Sequence, residues 1–149
     1  WTAFFREDMA SSGELNLAKL LATMTPKLQA REFVFATLQA DKAGEVLRAA
    51  AVGTFVEEEG LTLIVPADQA LPEGTERSDP QRMITLQVHS SLEAVGLTYR
   101  VSERLAGLGI SCNVVAAFFH DHIFVSTAKA DAAVTALQQL QAESAAAAE

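Results

Sequence analysis

Residues 84–137 read ITLQVHSSLEAVGLTYRVSERLAGLGISCNVVAAFFHDHIFVSTAKADAAVTAL, and this stretch decides the fold. From Met83 to His89 the pattern alternates. Ile84, Leu86 and Val88 fall on one face and Thr85, Gln87 and His89 on the other, as a half-buried strand requires. Ala94, Leu97, Val101, Leu105 and Leu108 then recur at helical spacing, and Gly107 and Gly109 close the run. Cys112 to Phe119 and His122 to Ser126 read as two strands around the turn residues His120 and Asp121, and a last helix carries Ala133, Val134, Leu137 and Leu140. Strand, helix, strand, strand, helix is a ferredoxin-like unit that lacks only its fourth strand. A bare strand edge invites aggregation, and Ile84–Val88 has no proline to blunt it. That edge is therefore expected to be covered by the N-terminal half or by a second copy. Ile84, Leu86, Val88, Val101, Leu105, Val114, Ala116, Ile123, Val125, Val134 and Leu137 are expected to form one core.

Upstream, a helix is predicted from about Glu14 to Met24, with Leu17, Leu20, Leu21 and Met24 on one face, Ser11 and Glu14 at capping-box spacing, and Pro26 as a stop. Glu32 to Leu38 reads as a strand, and Thr54–Glu58 with Leu61–Pro66 as a hairpin around a Glu-Glu-Gly turn. The polar stretch Pro72 to Pro80 is the best boundary. It divides the chain into an N-terminal half (14–79) and a C-terminal unit (80–142), with tails at 1–13 and 143–149. The opening WTAFFRED is unlike the rest of the chain, and Met9 suits a natural start; AESAAAAE at the other end reads as a frayed helix end or linker. Residues 14–79 hold 11 acidic and 6 basic side chains, whereas residues 80–142 hold four of each.

The whole chain has 149 residues, a net charge of −8 and 50% hydrophobic residues, enough for a packed core of one ordinary domain or two small ones. Eleven basic against 19 acidic residues argue against a nucleic-acid binder or a protein held to anionic lipid. The longest apolar run, Val114 to Phe119, is far too short to span a membrane as a helix. The single cysteine, Cys112, can form no internal disulfide and no cysteine-rich zinc site, which fits a reducing, cytoplasmic setting.

The stretch Ile84 to Leu137 resembles an ACT domain, a small regulatory module of amino-acid metabolism. The alternating strand, the loop into a helix, Leu105 with Gly109-Ile110, the following Asn113 and the strand hairpin carry the likeness. The segments HSSLEAVGLT and NVVAAFFHDHIFV, the Leu17–Leu21 helix and the Glu59–Leu63 strand resemble, more narrowly, an uncharacterised ACT-like family with an N-terminal companion domain. The resemblance implies an α+β fold: a ferredoxin-like βαββα unit in the C-terminal half, a smaller ACT-like N-terminal half, and antiparallel sheets with helices on one face. It also implies regulatory binding of a small molecule, with an amino acid as the leading class, without catalysis or cofactor. Many amino-acid-binding ACT domains have Asp-x-Pro-Gly between first strand and helix; this chain has His89 to Gly96 there, with Gly96 as the candidate replacement.

The expected ligand site is the loop His89, Ser90, Ser91, Leu92, Val95 and Gly96, facing Asn113, Val115 and Asp121. Ser90 and Ser91 are placed where a strand gives way to a helix, so free backbone N–H groups and the helix dipole would hold a carboxylate. Either serine alone also serves as an ordinary helix cap. Asn113 or Asp121 would select the ammonium. His120, Asp121 and His122 with His89 have the residue types of a divalent-metal site, but the spacing is weak, a polar turn whose histidines line a pocket or pair Asp121 accounts for them better, and no metal is assigned. Ser90, His89 and Asp121 lack the strained turn of a nucleophilic serine, Cys112 lacks a neighbouring base, Glu57–Glu59 reads as a solvated hairpin end, and no phosphate-binding glycine loop is present. The alternative function is a structural module that pairs sheets or helices with a second copy and binds no ligand. A cleft filled by the protein's own side chains would favour it.

Overall fold

The computed structural model describes residues 13–148. The order is α1 (Leu17–Thr23), β1 (Pro26–Leu38), α2 (Glu45–Ala50), β2 (Gly53–Val56), β3 (Leu61–Pro66), β4 (Glu76–Arg77), β5 (Gln81–Leu86), α3 (Leu97–Ala106), β6 (Asn113–Ala116), β7 (Asp121–Ser126) and α4 (Ala130–Ala146). All strands join one antiparallel sheet in the order β2-β3-β1-β5-β7-β6, with β4 also on β1. β1 is the long shared strand. Its Phe33–Leu38 end pairs β3, and Pro26–Leu28 with Glu32–Phe33 pair β5. The register shifts between Leu28 and Glu32, where the Arg82 guanidinium donates to the Gln29 carbonyl at 2.7 and 3.0 Å. The fourth strand missing from the C-terminal unit is therefore the first part of β1, and the N-terminal half covers the open edge as expected.

Helices lie against one face of the sheet. Ile84, Leu86, Ile123 and Val125 pack there with Leu97, Val101 and Leu105 of α3 and Ala133, Leu137 and Leu140 of α4. Leu20, Leu21 and Met24 of α1 join this same core, so the chain's first helix closes the C-terminal half and not its own. A smaller core of Val34, Leu38, Leu47, Leu61, Leu63 and Val65 sits under α2. On the opposite face Phe33, Ile64 and Phe124 are buried against one another and against Phe35, Met83 and Val115. Phe33 and Phe35 meet Phe124 edge-on at 6.0 and 5.3 Å, although β5 lies between their strands. Strands two apart are separated by about 9.6 Å, so these rings lean across β5 to meet.

Of the expected core, Ile84, Leu86, Val101, Leu105, Ile123, Val125 and Leu137 are buried together, and Val88, Val114 and Val134 pack at its margin. Ala116 is exposed, because the edge strand β6 ends there and the core does not extend under it. α1 begins at Leu17 with Asn16 as its cap, whose Oδ1 accepts the Lys19 N–H at 3.0 Å. Glu14 lies before the helix and accepts the Leu15 and Asn16 amides, while Ser11 lies outside the described residues, as do Trp1, Phe4 and Phe5. Residues 143–146 continue α4, and α2 is a helix that no periodicity in the sequence marks. Its six residues bury only Leu47, too few to leave a pattern. Among the described residues no helix is long and apolar enough to cross a membrane.

Candidate functional site

The two halves repeat one arrangement. β1, α2, β2 and β3 run strand, helix, strand, strand with β3 between its partners, and β5, α3, β6 and β7 do the same with β7 in the middle. The loop Gln87–Gly96 of the C-terminal half, which holds most of the expected site, thus corresponds to Gln39–Gly44 of the N-terminal half. Each loop ends on the glycine that precedes its helix.

The serines do not stand at the start of α3. The helix begins six residues after Ser91, with Gly96 as its cap at φ +103°, so the Ser90–Ser91 amides lie away from the helix dipole. Their backbone is instead engaged by the chain's own N-terminal segment: Glu14 N–H donates to the His89 carbonyl at 2.9 Å, and Ser91 N–H donates to the Glu14 carbonyl at 3.2 Å. Gly13 rides so closely over the Ser90–Ser91 peptide that a Cβ there would collide with it. At the far end of the loop Leu17 fills the hollow over Gly96, where a Cβ would come within 2.8 Å of Leu17 Cδ2. The Ser91 hydroxyl accepts the Glu93 amide at 3.2 Å.

The structure does bring Ser90 and Asp121 together. Asp121 starts β7 on the helix-bearing side and is 9% exposed, with the Ser90 side chain near its carboxylate. Burial raises its pKa, outweighing the opposing pull of His122, the Ser90 hydroxyl and His120. His122 is shifted the other way. Burial lowers its pKa, helped by His120 and opposed by Asp121. Its Nδ1 lies 3.1 Å from the Thr85 hydroxyl, which also accepts from Gln29 Nε2 at 3.1 Å. The His89 ring packs on Phe119 at a centroid distance of 5.6 Å, while Leu92 and Val95 are exposed. Among the described residues no three His, Cys, Asp or Glu side chains assemble as metal ligands.

Asn113 and Val115 do not face this group across a cleft. Asn113 pairs with Phe124 at the other end of β7 and donates to Gln81 Oε1 at 3.3 Å; Val115 lies beside His122 on the sheet face without helices. Strand parity decides this. Asn113 and Val115 alternate with Val114, which packs on the helix side. The residues whose part at this loop the sequence did not show are Gly13, Glu14 and Leu17, the last two having been read only as parts of the first helix. Only Gly13, a glycine ahead of an apolar helix, was a signal, and its close approach depends on a partner 77 positions away.

An ACT-domain profile matches residues 12–82 and a second matches residues 79–139. A Vibrio cholerae protein of unknown function, described as a possible transport protein, is 44% identical and superposes with a TM-score of 0.73 over 87% of this chain and 99% of that one. The chain belongs to the ACT-domain family. An Agrobacterium tumefaciens protein shares the fold at 21% identity, with a TM-score of 0.64 over 79% of this chain and 89% of that chain. The regulatory subunit of aspartate kinase from Thermus thermophilus, in ligand-free form, does so at 12% identity, with a TM-score of 0.62 over 80% and 97%. No curated protein matches the chain. The ACT pair accounts for the repeated strand–helix–strand–strand order, and the first two similar structures are themselves short chains that this one covers almost end to end.

Proposed function

We propose that this tandem ACT protein is a regulatory module that binds a small molecule of the amino-acid class and performs no chemistry on it. The observation that carries the reading is Asp121: a mostly buried carboxyl whose pKa burial raises, close to the Ser90 hydroxyl, His120 and His122, beside the strand-to-helix loop of an ACT domain. An ammonium group would neutralise its charge, which a serine hydroxyl cannot do, and a paired charge offsets the cost of burial more fully than a single hydrogen bond. His89, Ser90 and Asp121 form the polar part of the proposed site, and Leu92 and Val95 its exposed apolar approach; Leu17 covers Gly96. Asn113 and Val115 are left out of it.

A second reading has its own observation. Leu17 and Gly13–Glu14 fill much of the loop, and among the described residues the edge strands β2 and β6 each have one unpaired side, as a module for assembly with another chain would. Thermal unfolding against the twenty amino acids separates the two. For the sensing reading, one amino acid stabilises the protein by about 2.7 kcal/mol at 100 times its dissociation constant, and Asp121→Asn abolishes that shift. A complete absence of stabilisation, with a stable dimer in sedimentation, supports assembly and refutes sensing.

A further inference from the structure

The C-terminal loop is closed by a segment from the other end of the chain. Glu14 runs parallel to Ser90 and is held by its two backbone hydrogen bonds, with Gly13 against the Ser90–Ser91 peptide and Leu17 over Gly96. The repeated arrangement does not itself require such a cover. Where a Cβ on Gly96 would strike Leu17, a Cβ on Gly44, at the corresponding place in the N-terminal half, would meet nothing within 4 Å. The cover is also less firmly held than the helix that follows it. Leu20, Leu21 and Met24 are buried in the core, whereas Leu15 and Asn16, between the two points of contact, are exposed. The Glu14 carboxylate accepts the Leu15 and Asn16 amides and pairs with Lys19, and these bonds travel with the segment when it lifts. Leu17 has a second place to go. It borders a groove of about 460 Å³ between α1, α3 and α4, lined also by Ala18, Leu21 and Leu140.

From this arrangement we infer that Gly13–Leu17 is a latch on the C-terminal site, and that a ligand binds there by displacing it, Leu17 moving from the hollow over Gly96 into the groove. The inference rests on the binding reading above and adds its regulation. The groups that the latch occupies describe the molecule that displaces it. Ser91 N–H, now given to the Glu14 carbonyl, is a donor for a carboxylate, and the hollow that holds a leucine side chain accepts another branched apolar one. Asp121, beside Ser90, meets the ammonium. An aliphatic amino acid carries all three groups. Latch and ligand exclude one another, so the affinity of the site is set by how much of the time the latch is open.

The test is calorimetric titration of the full chain with L-leucine. Gly13→Val drives a side chain into the Ser90–Ser91 peptide and Leu17→Ala empties the hollow, so each loosens the latch and leaves His89, Ser90 and Asp121 in place. A latch shut in about nine molecules of ten weakens binding about tenfold, so L-leucine is expected to bind both variants about tenfold more tightly than wild type. Lost packing alone would weaken binding or leave it unchanged; only the removal of a competitor tightens it. In wild type, saturating L-leucine should also speed hydrogen exchange at the Glu14 amide, which its bond to the His89 carbonyl protects, and leave the amides of β5 as they were. Far-ultraviolet dichroism checks that the variants are folded, and either one alone decides the matter if the other is not. Equal affinity in wild type and variants overturns the latch and leaves the sensing reading standing. Binding of L-leucine to none of them overturns the latch as well, and the sensing reading is then decided by the other amino acids.

Discussion

Gly96 offers a stringent check on how the C-terminal loop is assembled. Its φ of +103° lies in the left-handed half of the map, where a residue with a Cβ carries a penalty of roughly 1–2 kcal/mol. Separately, that Cβ would stand 2.8 Å from Leu17 Cδ2, and overpacking of this kind costs about 1–3 kcal/mol. Gly96→Ala should therefore destabilise the protein by about 2–5 kcal/mol, the sum of the two effects. Leu17 is the flexible partner, so Leu17→Ala removes the second effect and leaves the first. In the Leu17→Ala background the same glycine substitution should cost only about 1–2 kcal/mol. The four proteins form a double-mutant cycle, read by urea denaturation at equal slope, with a coupling of about 1–3 kcal/mol. Additive costs would show that Leu17 does not occupy the hollow over Gly96, and the account of a loop filled by its own chain would fall with it.

Phe124→Ala should cost about 3–5 kcal/mol, because a nearly fully buried ring that two other phenylalanines meet edge-on leaves a cavity when removed; a loss below about 1 kcal/mol in urea unfolding would mean that this face is not packed. Asp121→Asn should raise the melting temperature at neutral pH, since burial lifts the carboxyl above its ordinary value near 3.8 and the charged form burdens the folded state. The folded protein then binds protons more readily than the unfolded one, so wild type regains stability as pH falls through the raised value, and the gap between the two proteins should close toward about pH 4. His122 has the opposite sign: its folded pKa is below 6.5, so wild type should lose stability relative to His122→Gln as pH falls from 6.5 toward that lowered value, and a gap that does not change would place the imidazole in solvent.

The C-terminal half was legible in the sequence because its elements are regular and each contributes several residues to one core. Alternation in Ile84–Val88 and helical spacing in Leu97–Leu105 are local consequences of which face is buried, so they show without a partner. The same locality limits what the pattern could say. That β1 completes the C-terminal sheet, that α1 packs on the far half, and that Phe33 and Phe35 reach over β5 to Phe124 are relations between segments distant in sequence. The site was legible in the same measure. Ser90 and Asp121 stand out for their chemistry and do meet, because the loop after β5 and the start of β7 lie at one end of neighbouring strands. Only chemistry set Asn113 opposite the serines, and the parity of β6 puts it on the other face. Which strand-to-helix loop is filled and which is open is a matter of where Gly13 and Leu17 come to rest. No local pattern encodes that, since a side chain's periodicity records that it is buried but not against whom.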